Sequence, residues 1–246
     1  MTETTTPRVA VVTGGSGGIG RAVATRLAAD GMHVLVHYSG GQARADEVVE
    51  EITAAGGVAS TAQADVADEV EVAAMFDAAE QRYGGLDVVV HTAGIMPLSP
   101  FLDLKLDELD RIHRTNIRGT FVVSQEGLRR MRAGGALINT STSVTKLQQV
   151  NYSAYAASKG AIEAITLMLA REMRGRDITV NTVSPGPTET PLFTNGKSQE
   201  LMDRIAAQSP MERLGQPEDI AEVVAFLAGP GRWINGQVIF ANGGVI

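Results

Sequence analysis

The chain has 246 residues, of which 44% are hydrophobic and 20% charged, an ordinary composition for a soluble globular protein. It has no cysteine, which excludes disulfides and thiolate metal sites, and its net charge of −7 disfavours a nucleic acid or an anionic membrane as partner. Apolar runs such as "VAVV" and "LDVVV" suit strands and are too short to span a membrane. We therefore expect a cytoplasmic protein.

After a start expected to be a flexible tail over residues 1–7, strand-like and helical runs alternate along the chain. The predicted strands are 8–13, 33–38, 58–63, 86–91, 135–140, 178–183 and 236–241. The predicted helices are 18–31, 42–55, 68–83, about 106–132, 152–173 and 217–228.

This alternation predicts right-handed crossovers and a parallel sheet covered on both faces. We expect a single-domain, Rossmann-type doubly wound α/β fold over residues 8–246, with about seven parallel strands. Two connections, about 142–151 and 184–200, are long, and both follow the carboxyl end of a predicted strand. Because ligands of such sheets bind at that edge, we expect both connections to be functional.

The first strand and first helix are joined by "VVTGGSGGIGRAV". Its glycines fit two spacings, Gly15-x-Gly17-x-x-Gly20 and Gly14-x-x-x-Gly18-x-Gly20. Either spacing lets the backbone approach a pyrophosphate, whose charge the helix N-terminus stabilises. No Gly-Lys-Ser/Thr follows, which excludes a nucleoside triphosphatase loop.

The stretch "NYSAYAASKG" holds two tyrosines and one lysine. In a helix, Tyr155 and Lys159 share a face one turn apart, whereas Tyr152 lies two turns from the lysine and is interpreted as packing at the helix start. A nearby ammonium lowers the pKa of a phenol, so Tyr155 is a candidate acid or base. Taken alone, the stretch also fits an ordinary amphipathic helix with a surface lysine.

The four histidines predict no metal site. His33 and His37 are four apart in a predicted strand, which separates them by about 13 Å. His91 and His113 are isolated in sequence.

Together, the glycine loop and Tyr155-x-x-x-Lys159 make the chain resemble the short-chain dehydrogenase/reductase family, and most closely its 3-oxoacyl-carrier-protein-reductase-like branch, over about residues 8–244. The further matching positions are Thr13, Gly14, Gly18 and Gly20 in the loop, the pair Asp65-Val66, Asn116 in "RTNIRGTF", and Asn181, Pro185 and Gly186 in "NTVSPGPTET".

The resemblance implies hydride transfer between a nicotinamide and a carbonyl or secondary alcohol, with Tyr155 protonating the oxygen. It also implies that Lys159 lowers the tyrosine's pKa and binds the ribose, that Thr142 holds the carbonyl oxygen, and that Asn116 supports a water leading to Lys159. The implied cofactor-binding residues are Thr13, Gly14, Ser16, Gly17, Gly18, Ile19, Gly20, Ser39, Arg44, Asp65, Val66, Ala93, Gly94, Tyr155, Lys159, Pro185, Gly186, Thr188 and Thr190.

The sequence departs from the family pattern twice. His91-Thr92-Ala93-Gly94 stands where the family has Asn-Asn-Ala-Gly. The usual catalytic serine, 13 positions before the tyrosine, is replaced by Thr142, with Ser141 and Ser143 beside it. Because side chains alternate in a strand, we expect both serines to point away from the side that Thr142 faces.

NADPH is the expected cofactor over NADH. The acid that usually binds the ribose of NAD is missing before Asp46, and Ser39 and Arg44 can meet a 2′-phosphate, although Gly17 stands where many NADP-dependent relatives carry an arginine. Met96, Leu147, Gln149 and Phe193 predict a mostly apolar substrate pocket. The sequence does not identify the substrate.

By the same resemblance we expect a homotetramer. The helices near 106–132 and 152–173 would pair about one two-fold axis, and the last helix and strand about another. Candidate contacts are Ile162, Ile165, Leu169, Phe226 and Leu227, which a monomer core can also use.

Two other functions remain open at this point. One is a nucleotide-binding sensor or structural relative without turnover, which the altered His91-Thr92 turn would suit. The other is a dehalogenase on the same fold, which the intact glycine loop disfavours.

Overall fold

The computed structural model describes residues 7–246, which build one seven-stranded parallel sheet of order β3-β2-β1-β4-β5-β6-β7. The strands are β1 Val9–Thr13, β2 His33–Tyr38, β3 Val58–Gln63, β4 Val88–His91, β5 Ala136–Thr140, β6 Thr179–Pro185 and β7 Val238–Ala241. Residues 1–6 of the predicted tail lie outside the described part of the chain.

Helices connect the strands. They are α1 Gly18–Ala29, α2 Gln42–Ala54, α3 Glu69–Tyr83, α4 Leu106–Ile112, α5 Gly119–Arg130, α6 Val144–Leu147, α7 Ser153–Glu172, α8 Pro191–Thr194, α9 Gln199–Ala206 and α10 Pro217–Ala228. A 3₁₀ turn at Phe101–Asp103 precedes α4, and a π-helical segment, His113–Arg118, joins α4 to α5.

The sheet has an apolar core on each face. One core joins the strands to α1, α2 and α10 through side chains such as Leu27, Ile52 and Leu227. The other joins them to α3 and α5 through side chains such as Phe76 and Leu128. Strands buried on both faces explain the near-continuous apolar runs of the sequence. The predicted doubly wound fold is confirmed.

Two parts of the prediction needed correction. The single long helix predicted near 106–132 is divided by the π-helical segment, which turns Asn116 into the interior. The two long connections contain helices α6, α8 and the start of α9. Helix α9 begins after Ser198, whose hydroxyl accepts a hydrogen bond from the Leu201 N–H, a capping signal present in the sequence.

The predicted interface residues divide into two groups. Ile162 and Leu227 are 1% exposed, so they belong to the core of the chain and not to a contact surface. Phe226 is 48% exposed, so its side chain remains available for a contact with another subunit. Within residues 7–246, no helix combines the length and apolarity needed to cross a bilayer.

Candidate active site

A cavity of about 490 Å³ lies at the carboxyl edge of the sheet, beside the ends of β1, β4, β5 and β6. The glycine loop forms one wall, the segment after β5 and the start of α7 form another, and the segment from Pro185 to Asn195 covers them. Both long connections contribute to it, as the sequence predicts.

Most of the predicted site residues line this cavity. They are Gly14, Ser16, Gly17, Gly18, Ile19, Gly20, Arg44, Ala93, Gly94, Met96, Thr142, Leu147, Gln149, Tyr155, Lys159, Pro185, Gly186, Thr188, Thr190 and Phe193. Five others do not line it: Thr13, Ser39, Asp65, Val66 and Asn116.

The glycine loop distinguishes the two spacings. Gly14 and Gly18 have φ of +67° and +51°, a region that residues with a side chain rarely adopt. A Cβ at Gly20 would lie 2.2 Å from the carbonyl oxygen of Gly14, which is fixed backbone. At Gly17, in contrast, a Cβ would meet nothing within 4 Å. The backbone therefore requires the glycines of the second spacing, 14, 18 and 20.

Tyr155, Lys159 and Thr142 come together at the inner wall. Thr142 and Tyr155 both line the cavity, and the Thr142 hydroxyl lies near enough to the Tyr155 phenol to affect its pKa. The Lys159 ammonium lies 5.9 Å from the centre of the Tyr155 ring and donates to the carbonyl oxygen of Thr140 over 2.8 Å. All three side chains are buried, at 9% exposure or less.

The protonation of this group differs from the expectation that Lys159 lowers the pKa of Tyr155. Burial raises the pKa of Tyr155 to about 12, and the hydrogen bond with Thr142 only opposes that rise. Burial also lowers the pKa of Lys159 to about 8. Burial is the largest cause of the rise in the Tyr155 pKa, so at neutral pH the tyrosine is a neutral proton donor.

Asn116 lies behind the cavity wall and holds the turn after β4. Its side chain accepts from the Ile95 N–H and donates to the Ile95 carbonyl, both over 2.9 Å, and it donates to the Ser158 hydroxyl over 3.0 Å. A Cβ at Gly94 would lie 3.2 Å from the Asn116 Oδ1 and 3.5 Å from the Lys159 Nζ. Asn116, Gly94 and Lys159 are thus neighbours.

The three hydroxyl residues after β5 have separate partners. Ser141 donates to the Glu163 carboxylate on α7, and Ser143 donates to the Ser184 carbonyl on β6. β5 ends at Thr140, and the Ser141 and Ser143 N–H groups continue its ladder by donating to the Val183 and Pro185 carbonyls of β6. The selection of Thr142 agrees with the geometry, since its hydroxyl is the one beside Tyr155.

The altered turn after β4 is hydrogen-bonded to the end of β1. His91 bonds the Thr13 hydroxyl over 2.7 Å, and the Thr92 hydroxyl donates to the Thr13 carbonyl over 2.5 Å. Burial lowers the pKa of His91 to about 3, so this imidazole is neutral. His91 and Thr92 join the end of β4 to the end of β1, from which the glycine loop starts.

The residues predicted to bind the adenosine part of the cofactor differ from one another in their surroundings. Arg44 is exposed, lines the cavity and has its guanidinium against the backbone of Gly41. Ser39 is exposed nearby. Partial burial raises the pKa of Asp65, but hydrogen bonds from the Ala67 N–H and from Arg114 lower it further. The net result is a pKa below the ordinary value of an aspartate.

Some lining residues were not found from the sequence. Ile205 reaches the cavity from α9, and Asn195 and Val144 come from the covering segments. Tyr152 packs at the start of α7, as predicted, but also lines the cavity, with its ring 6.5 Å from that of Tyr155. The amphipathic "QELMDRIA" after Ser198 was the available signal for α9.

Comparison with known proteins agrees with this geometry. A family model described as enoyl-(acyl carrier protein) reductase matches residues 14–246. An NADPH-dependent aldehyde reductase-like protein of Arabidopsis thaliana is 40% identical over 97% of this chain and 94% of its own. The 3-oxoacyl-[acyl-carrier-protein] reductase FabG of Staphylococcus aureus is 40% identical, over 96% of this chain and 97% of its own.

A solved structure is similar as well. A short-chain dehydrogenase of Burkholderia cenocepacia in complex with NADP superposes with a TM-score of 0.91 at 39% identity, with 97% of each chain covered. This chain belongs to the short-chain dehydrogenase/reductase family. It is an oxidoreductase of that family, and the expectation from its motifs is confirmed.

The buried lysine makes stability depend on pH. Between the folded pKa of Lys159, about 8, and its ordinary value of 10.5, the unfolded chain binds more protons, so the free energy of unfolding rises with pH. Relative to Lys159→Met, the wild type should therefore gain stability, by at most ~3 kcal/mol, as pH rises from about 7 to 9.5. The measurement is the melting temperature of both proteins without nucleotide. A difference independent of pH would show that this ammonium carries no burial penalty.

Proposed function

We propose that the protein is an NADPH-dependent carbonyl reductase that also runs in the reverse direction on secondary alcohols. One observation carries the proposal. A neutral phenol, a second hydroxyl and a buried ammonium, from Tyr155, Thr142 and Lys159, meet on one wall of a cavity whose opposite wall is a glycine loop suited to a pyrophosphate.

The residues present suit a nicotinamide dinucleotide. Positive φ at Gly14 and Gly18 and the lack of a Cβ at Gly20 let a pyrophosphate approach the N-terminus of α1. That helix begins after Gly17 without a side-chain cap and has no acidic residue in its first turn. Thr188 and Thr190 also line the cavity, and they are proposed to bind the nicotinamide carboxamide.

When bound, the dinucleotide supplies or accepts the hydride. Tyr155, neutral at pH 7, donates its proton to the carbonyl oxygen as charge develops there. The Thr142 hydroxyl donates a second hydrogen bond to the same oxygen. Lys159, held beside the ring by the Thr140 carbonyl, stabilises the phenolate that remains and supplies a proton to restore it.

Asn116 and its neighbours support the lysine's return to the charged form. Asn116 lies next to Lys159 across Gly94, and its position is held by three hydrogen bonds. We propose that a water at this point passes protons to Lys159. Thr13, Asp65 and Val66 do not line the cavity. Thr13 bonds the turn after β4 at the start of the glycine loop, and Asp65 and Val66 are proposed to shape the place of the adenine.

The preference for NADPH has support from two sides. The Arabidopsis relative is named as NADPH-dependent, and the Burkholderia structure contains NADP. In this chain, Arg44 lines the cavity and Ser39 lies exposed at the end of β2, where no acid stands before Asp46. A 2′-phosphate there meets a cation and a hydroxyl.

The substrate is proposed to be a mostly apolar carbonyl compound. Met96, Leu147, Gln149 and Phe193 line the same cavity as Tyr155. The threonine methyl stiffens the side chain at position 142 and narrows the space for bulky ketones.

Residues 8–246 are proposed to act as one nucleotide-binding and catalytic domain, since the cavity draws on segments from Gly14 to Ile205 around one sheet. We further propose a cytoplasmic homotetramer. Exposed apolar side chains lie on the two predicted surfaces: Phe121, Leu167 and Met168 on α5 and α7, and Phe226, Trp233 and Phe240 at the other.

The role of Thr142 is tested by removing each hydroxyl in turn. Thr142→Val should lower kcat on the order of 10²-fold, because a hydrogen bond to the developing charge is lost. Ser141→Ala and Ser143→Ala should cost only a few-fold in comparison, because their hydroxyls bond protein groups. Consumption of reduced cofactor with a panel of aldehydes and ketones measures this. A mild Thr142→Val beside a severe serine variant would reverse the assignment.

The cofactor preference is tested through Arg44. The wild type should have the higher kcat/KM with NADPH, and Arg44→Ala should lower that value by roughly 10-fold or more while leaving NADH little changed, since an ionic hydrogen bond is lost. Arg26→Ala, which removes a cation paired with Asp30 and Glu222, is the matched control. A wild type that prefers NADH would refute the proposal.

The oligomeric state is tested by light scattering. We expect a mass four times that of the 25.9 kDa chain, and a smaller mass for Met168→Glu, because an interface rejects an unpaired charge. Val70→Glu changes an apolar residue that is 78% exposed on α3 and should leave the mass unchanged. A wild type found as single chains would rule out the tetramer.

A further inference from the structure

Helix α7 presents three functional side chains, one per turn, to the segment after β5. Tyr155, Lys159 and Glu163 are spaced by four residues and therefore share a face. Tyr155 meets Thr142, and the Lys159 ammonium meets the Thr140 carbonyl. Glu163, which neither the motifs nor the mechanism above uses, is the third.

The Glu163 carboxylate holds both sides of the turn that carries Thr142. One oxygen, Oε1, accepts from the Ser141 hydroxyl over 2.8 Å and from the Thr145 hydroxyl over 2.9 Å. Each hydroxyl also has a second acceptor: the Lys159 carbonyl lies 3.3 Å from the Ser141 hydroxyl, and the Thr142 carbonyl lies 3.0 Å from the Thr145 hydroxyl. A hydroxyl has only one proton to donate, and the carboxylate is the stronger of its two acceptors.

The backbone on both sides of Thr142 is held by β6, because the Ser141 and Ser143 N–H groups donate to the Val183 and Pro185 carbonyls over 2.8 Å. The Thr142 side chain itself is held less firmly. β5 ends at Thr140, and α6 has only four residues. The Thr142 hydroxyl itself accepts one long bond, 3.3 Å, from the Val144 N–H. A hydroxyl that has to meet both Tyr155 and a carbonyl oxygen needs its backbone held in place by neighbouring groups.

We propose that Glu163 is a positioning residue for the reaction: it joins Ser141 and Thr145 and so keeps Thr142 facing Tyr155. This inference rests on the proposed function for its catalytic consequence, and on the hydrogen bonds alone for the hold on the turn. Glu163 acts through Thr142 and does not contact the reacting atoms.

Four variants test the proposal. Glu163→Ala removes the acceptor, and the double variant Ser141→Ala/Thr145→Val removes both donors while keeping the glutamate. Glu163→Gln keeps an acceptor oxygen for both hydroxyls and should rescue. Glu172→Ala, which removes an exposed carboxylate from the last turn of the same helix, is the matched control.

We expect Glu163→Ala and the double variant to lower kcat by about 10-fold to 10²-fold, with NADPH affinity measured by fluorescence unchanged, because misplacement of a catalytic group affects the chemical step. Glu163→Gln should stay close to the wild type. In a Thr142→Val background, Glu163→Ala should add almost nothing, because the hydroxyl that it positions is gone. If the fold-losses in kcat of Thr142→Val and Glu163→Ala multiply in the double variant, the two residues act independently and the proposal is overturned.

Hydrogen exchange of the amides from Thr145 to Gln148 gives a readout that needs no turnover. Their hydrogen bonds close the turn, and exchange should become faster in Glu163→Ala and in the double variant, but not in Glu163→Gln or Glu172→Ala. Unchanged exchange overturns the proposal whatever the activity, and faster exchange with unchanged kcat overturns the positioning role. If the wild type reduces no carbonyl, the proposed function fails, and exchange alone decides whether Glu163 holds the turn.

Discussion

The bond from the Lys159 ammonium to the Thr140 carbonyl joins the two elements on which the site depends, helix α7 and the end of strand β5. A buried cation is costly unless it is hydrogen-bonded, and here the cost appears as a pKa lowered to about 8. This cation lies beside Tyr155, where the proposed reaction forms a phenolate. The stability of the fold and the chemistry of the site therefore depend on the same contact.

The rest of the cavity positions partners around this pair. Parallel strands bring the ends of β1, β4 and β5 to one edge, so the glycine loop, the turn after β4 and the Thr142 turn become neighbours. The π-helical segment turns Asn116 into the space between the turn after β4 and α7. Burial, which raises the pKa of Tyr155, keeps the phenol protonated until an acceptor arrives.

The departure at His91-Thr92 leaves the turn after β4 intact. A neutral imidazole and a threonine hydroxyl both bond Thr13, in the last position of β1. The glycine loop therefore starts from a strand end held on its β4 side. The turn therefore keeps its link to β1 without the two asparagines of the family pattern.

The sequence by itself determined the strands, the doubly wound fold, the place of the glycine loop and the shared helix face of Tyr155 and Lys159, because these follow from apolar runs and helical spacing that act locally. Backbone sterics in the structure then decided between the two glycine spacings. The tertiary structure alone decided the direction of the Tyr155 pKa, the break in the helix at Asn116, the burial of Ile162 and Leu227, and the hold of Glu163 on Ser141 and Thr145. Each of these depends on which distant segments remove water from a group or supply its hydrogen-bond partner, and no local pattern of residues specifies that.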